Sequence, residues 1–254
     1  MNGKRIASIL LLTASLFLAA SSPAFGERGH GPEHAAEMEM HHLHILLNQG
    51  ISMMTEGANL VMLAGMQTTP ALDRPTLRHG QMMIANGRDL VRRSLHGPEM
   101  KSLSEGPHAA SPLLRYSRDL GEAMTAYMKR LEELDLDRMS SGETRTLQRV
   151  NIILNHALGM ASEGANLVMV ARMGMAGTVD RFSLEQGERM IAHARDLHRE
   201  TMEGEAMRRL RDLGVTPETS SMMKLTQDLA DDVSRIIELL ARMPPAPSVA
   251  APAR

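Results

Sequence analysis

The sequence contains no cysteine and no tryptophan, with only three phenylalanines and two tyrosines. Without cysteine, disulfides, thiolate metal sites and a Cys-x-x-Cys-His haem attachment are all excluded. Without aromatic volume a core must be filled by other side chains, and 23 methionines are the evident substitute. Methionine packs irregular helical cores and is also a soft metal ligand, so its abundance has two readings. Strong charge is missing too. A net charge of −2, with both signs interspersed, gives no electrostatic case for nucleic acid. No stretch alternates as strands do, and no glycine-rich nucleotide loop is present. The repeat-matched Glu-x-x-His pairs of a di-iron bundle are missing, since Glu39-x-x-His42 has no equivalent in the second copy. No nucleophile–base or acid–base constellation is visible, so neither an enzyme nor an organic cofactor is expected.

The only long apolar run lies at the start. Lys4 and Arg5 precede the apolar segment Ile6–Ala20, and small residues around Ala24 and Gly26 offer cleavage sites. This pattern predicts a secretory signal over 1–26, with export to a periplasm or beyond. The run is short for a membrane span, so no transmembrane segment is expected in the mature chain. Residues 27–33, with Gly29, Gly31 and Pro32, read as a flexible lead-in.

What is present is a repeat. Glu56-Gly57-Ala58-Asn59-Leu60-Val61-Met62 returns unchanged as Glu163–Met169, 107 positions later. Leu47–Met100 aligns on Leu154–Met207 without a gap, with 25 of 54 positions identical. Each copy opens with a helix whose seam steps by three and four: Leu43, Leu46, Gly50, Met53, Gly57, Leu60, Ala64 in the first. Gly or Ala recurs at every seventh position of that seam, which predicts a neighbouring helix at close range. Such a helix, apolar on nearly all sides, belongs in the middle of a bundle. A second helix is expected from near Pro75 to Gly97, and in the other copy from near Ser183 to Gly204. A third follows Ser111-Pro112 or Thr216-Pro217. Its seam of Leu113, Ser117, Leu120, Met124, Tyr127, Leu131 returns as Met222, Thr226, Leu229, Val233, Ile236, Leu240, 109 positions on. The fold class expected is therefore all-α: a six-helix bundle of two tandem three-helix repeats, 34–138 and 139–243, related by a pseudo-twofold. A capping box of Ser140 and Glu143 would open the second repeat, and a disordered tail would occupy 244–254.

Along the leading helices Asn48, Glu56 and Asn59 form one polar stripe, matched by Asn155, Glu163 and Asn166. A buried carboxylate needs a partner, and Arg88 and Arg195 on the second helices are the expected ones, completing a structural polar network. The chemistry-bearing candidate lies upstream. Five of the 11 histidines fall between His30 and His44, with Met38 and Met40 interleaved. On a helix His34, Met38 and His41 share a face, while Met40 and His44 form a neighbouring pair. Imidazole with thioether suits copper or silver, and imidazole with Glu37 or Glu39 would suit zinc or copper(II). His34, Met38, Met40, His41, His42 and His44 are thus the candidate metal ligands. Nothing in the second copy matches them. The competing expectation is a helical interaction or sensor module whose methionine surfaces bind a protein partner or a second copy. The methionine pairs shared by the copies, Met62 with Met169 among them, read as core.

Overall fold

The computed structural model describes residues 32–66, 70–106, 109–132, 142–173 and 179–244, with the side chains of 32–37 and 70 excepted. The expected signal segment, residues 27–31 of the lead-in and residues 245–254 of the tail, together with Ser140, lie outside them, while the last two lead-in residues, 32 and 33, are helical. Among the described residues every element is a helix. Six are long: α1 (Pro32–Gly65), α2 (Pro70–His96), α4 (Pro112–Glu132), α5 (Gly142–Arg172), α6 (Asp180–Glu203) and α8 (Ser221–Ala241). Two are only two turns: α3 (Pro98–Glu105) and α7 (Glu205–Asp212). Among the described residues no helix is long and apolar enough to cross a membrane.

The second helices end at Gly97 and Gly204 as expected, but the short helices that follow correct the sequence reading, which has no helix there. Both glycines are extended (ψ 169° and 172°) and turn the chain, but a further short helix starts directly after each. Their buried residues, Met100 and Leu103 in α3 and Met207 and Leu210 in α7, explain their retention. The starts shift as well. α2 begins at Pro70, so Pro75 falls inside it, on an exposed turn. α8 is capped by Ser220, whose Oγ accepts from the Met223 amide at 3.2 Å, rather than by Thr216. Between α7 and α8, Gly214 adopts φ +76°. There the Val215 amide donates to the Leu210 carbonyl and that of Gly214 to Arg211, both at 2.9 Å. Buried Val215 and Leu210 close this helix stop with an apolar contact.

The close approach implied by the small-residue seams is made by α2 and α6. α1 meets α2 glycine to glycine: a Cβ on Gly57 would lie 2.6 Å from the Gly80 carbonyl oxygen, and one on Gly80 equally close to the Gly57 oxygen. Gly164 and Gly187 repeat the arrangement between α5 and α6. One end of the seam differs. Gly50 faces Gly87 in the first copy, whereas the matching positions hold the fully buried Ala157 and Ala194. One core cluster takes side chains from α1, α2, α3, α4, α5, α6 and α8, and a smaller one joins α5, α7 and α8 around Leu147, Leu154 and Met207.

Gly159 provides the converse case. A Cβ there meets only the Thr55 Oγ1, at 3.6 Å, an ordinary contact. Gly159→Ala is expected to raise stability by up to ~1 kcal/mol, because helix propensity is gained without crowding. Urea unfolding of the two proteins checks the sign.

Candidate functional site

The interior of the bundle is crossed by a hydrogen-bonded polar system between α1 and α5. Asn48 Nδ2 donates to Asn166 Oδ1 at 2.9 Å, and Asn155 Nδ2 donates to Asn59 Oδ1 at 3.0 Å. Adding 107 to one residue of each pair and subtracting it from the other converts the first bond into the second. Ser162 Oγ also donates to the Asn48 carbonyl, at 2.9 Å. One end is better satisfied than the other. Tyr127 OH donates to Asn155 Oδ1 at 2.8 Å, whereas the corresponding Asn48 Oδ1 is buried without a hydrogen-bond partner. The residue matching Tyr127 is Ile236, which has nothing to donate. Burial pushes the Tyr127 hydroxyl upward, so it stays a neutral donor. Tyr127→Phe should cost about 1 kcal/mol by leaving Asn155 as Asn48 already is. A denaturation midpoint equal to that of the parent would remove this bond from the account.

The arginine part of the network needs correction. Arg88 Nη1 pairs with Glu132 at 2.8 Å and Arg195 Nε with Glu238 at 2.7 Å, all four groups being substantially exposed. Glu56 and Glu163 are exposed as well, at the rim of the stripe, so neither needs a buried counter-ion. Glu56 is shifted upward by desolvation and then by the neighbouring Glu163. The stripe is therefore neutral and amide-based inside, with its carboxylates at the edge.

The histidine–methionine segment is divided by its own helix. Met38 and His42 point outward and, with Glu39, line a groove of about 620 Å³ whose far wall is Leu90, Arg93 and Glu99. Met40, His41 and His44 point inward, at 3%, 4% and 1% exposure. The side chain of His34 is outside the description. The face expected to join His34, Met38 and His41 is thus split, because Met38 is 38% exposed while His41 is buried.

Buried His41 meets a residue that the sequence reading treats as core. Its Nδ1 lies 2.6 Å from the Sδ of Met169, on the far helix α5, 128 residues away. Met169 is fully buried. His44, one turn on, donates from Nδ1 to the Met40 carbonyl at 3.1 Å, which leaves Nε2 bare and 3.3 Å from Ser117 Oγ. The hydroxyl of Ser117 can instead donate to the Leu113 carbonyl, at 2.9 Å, freeing that nitrogen. His44 also stacks on Tyr116, with ring centroids 4.9 Å apart and planes at 24°. Arg172 closes this end of the bundle, donating from Nη1 to the carbonyls of Met243 and Pro244, both at 2.9 Å.

Burial sets the protonation state. Desolvation pushes His44 down to about 4, against a smaller opposing effect of its bond to the Met40 carbonyl. His41 is lowered by desolvation and then by the Arg172 charge. Both imidazoles are therefore neutral near pH 7, the form that ligates metals. Among the described residues no three His, Cys, Asp or Glu side chains converge as a metal-binding group. What converges is an imidazole nitrogen and a thioether sulfur. No family model matches this sequence, and neither a curated protein nor a solved structure does.

The other methionines shared by the copies sort by depth. Met62, Met100 and Met207 are buried, while Met53, Met66, Met83, Met160, Met173 and Met190 are partly so. Of the remaining histidines, His79, His96, His156 and His193 are exposed, and His198 donates from Nε2 to the Ala230 carbonyl at 2.9 Å.

Proposed function

We propose that this chain is an exported soft-metal-binding protein that takes copper(I) or silver(I) in the bundle interior, with His41 and Met169 as its principal ligands. The observation that carries this reading is the contact of His41 Nδ1 with Met169 Sδ inside the fold. Thioether with imidazole is a donor pair for a soft monovalent ion, and zinc or copper(II) would call for further nitrogen or oxygen ligands. Arg172 supports the same preference, because its fixed positive charge penalises a dication twice as heavily as a monocation. The bare Nε2 of His44, one helical turn from His41, is a further donor within the same segment. Met38 and His42 would make a weaker surface pair beside it. The cysteine-free composition and the signal-like 1–26 fit a protein that handles such ions outside the cytoplasm.

The scaffold for this site is, in this proposal, a tandem duplication of a three-helix unit, and the exchanged asparagine bonds support it. Only the first unit carries the histidines. The test is a chloride-free silver titration followed by calorimetry, with Met169→Leu and His41→Phe beside the parent. One ion per chain, bound more tightly than about 1 μM and weakened at least tenfold by either substitution, is the expected result. Equal binding in all three proteins would move the metal to the surface histidines or out of the account. The groove beside Met38, walled by Leu43, Leu46 and Leu90, favours a second reading, a non-enzymatic interaction module. A parent that binds no silver would leave that reading standing alone.

A further inference from the structure

The site around His41 and His44 has a counterpart on the other side of the bundle. Leading helices α1 and α5 carry the repeat in one unbroken register, so the offset of 107 extends upstream along them. His41 then corresponds to Gln148, His44 to Asn151 and Met169 to Met62. On the third helices, with an offset of 109, Ser117 corresponds to Thr226. All four counterparts are fully buried: Gln148, Asn151, Thr226 and Met62 each have 0% exposure. Gln148 and Asn151 lie on α5 and Thr226 on α8, two helices that pack against each other, while Met62 lies on α1.

The two sides differ in how their polar atoms are satisfied. His44 has the Met40 carbonyl and Ser117. Asn151 has neither: its Nδ2 and its Oδ1 are both buried without a hydrogen-bond partner, and so is Thr226 Oγ1. Each such atom left dry would carry a desolvation penalty of about 1–3 kcal/mol. The three atoms comprise a donor, an acceptor and a hydroxyl that can be either. A cation would be repelled by the amide N–H, and an anion by the carbonyl oxygen. A small neutral molecule that both donates and accepts satisfies all three, as buried water does in protein interiors.

We propose that Asn151 and Thr226, with Gln148, form a second interior site that is the neutral counterpart of the histidine site and binds water in place of metal. The chain thus holds two equivalent positions and equips only one with imidazoles. The statement about water stands on the unpartnered atoms; the statement about metal rests on the proposed function.

Two measurements decide it. In nuclear Overhauser spectra of the intact chain, the Asn151 side-chain amide protons should show cross-peaks to water with the sign of a long-lived bound molecule. Their absence would overturn the water site whether or not the protein binds metal. In the second experiment, Gln148→His with Asn151→His should raise bound silver from one ion per chain to two, with the helical circular dichroism of the parent. A folded double variant that still binds one ion would show that the two positions are not equivalent and overturn that half. Should the double variant not fold, Asn151→His alone is measured: a urea midpoint well below the parent's would overturn the equivalence, because the larger ring would then not fit where His44 fits. A parent that binds no silver would end the proposed function while the water cross-peaks still decided the neutral site.

Discussion

Replacing Gly57 by alanine should destabilise the protein by about 2 kcal/mol and lower its melting temperature by roughly 4–8 °C. The added Cβ would lie 2.6 Å from the Gly80 carbonyl oxygen and 2.9 Å from the Ile84 amide nitrogen. Both are helix backbone, so relief requires the two helices to separate. Overpacking of that kind costs about 1–3 kcal/mol or more, and the gain in helix propensity returns at most about 1 kcal/mol. Gly164→Ala should behave alike, since its Cβ would lie 2.6 Å from the Gly187 oxygen. Gly50→Ala should be milder. Its nearest backbone neighbour, the Gly87 carbonyl oxygen, lies at 3.1 Å rather than 2.6 Å, the closer Val91 Cγ2 at 2.6 Å is a side-chain atom, and the matching position already carries alanine. Thermal melts of the three variants check the order. Similar losses at Gly50 and Gly57 would mean that helix propensity, and not interhelical contact, sets the cost.

The metal-free protein should also lose about 2 kcal/mol of stability between pH 7 and pH 5 through His44 alone. This imidazole is pushed down to about 4 from its ordinary 6.5, chiefly by burial. Its folded value lies below its unfolded one, so between the two the unfolded chain binds the proton and the folded chain does not. Stability from this group is complete above about pH 6.5 and falls as pH drops towards 4. His41 is shifted in the same direction and adds to the effect. Glu56 and Asp232, both raised mainly by desolvation, work in the opposite sense at more acidic pH. The difference between the parent and His44→Phe therefore isolates the histidine. Urea unfolding at pH 7 and 5, with a chelator present, should show a steeper loss in the parent. Parallel losses in the two proteins would place the proton elsewhere.

Much of the fold was legible because it rests on periodicity. The seven-residue recurrence of Gly and Ala announced a close neighbour, though not that its own glycines, Gly80 and Gly87, would face it. The leading and third helices follow their apolar seams, but the second helices start earlier than Pro75 and Ser183 suggest. Pro75 lies inside α2, where it removes one helical hydrogen bond, so it marked a preference and not a boundary. The short helices α3 and α7 were missed because two turns offer too little periodicity to detect.

The site was legible only on one side. Histidines between His30 and His44 stand out in composition, but helical geometry then sends Met38 and His42 outward and His41 and His44 inward. Met169 could not be found locally, since it lies 128 residues from His41 and is one of many buried methionines. The available signal was the repeat itself. An antiparallel crossing of the two leading helices brings the start of one towards the end of the other, which is where Met169 lies. The arginine partners expected for Glu56 and Glu163 failed because the stripe was taken as buried along its length, whereas its carboxylates sit at the rim.

The most direct test of the central claim is a silver titration of the isotope-labelled chain, without chloride, followed through the His41 imidazole nitrogens and the Met169 methyl. The account predicts that both resonances move together and stop at one equivalent, while exposed His42 is unaffected until later additions. Early shifts at His42 with no change at His41 or Met169 would contradict it, and would assign the binding to the surface of α1.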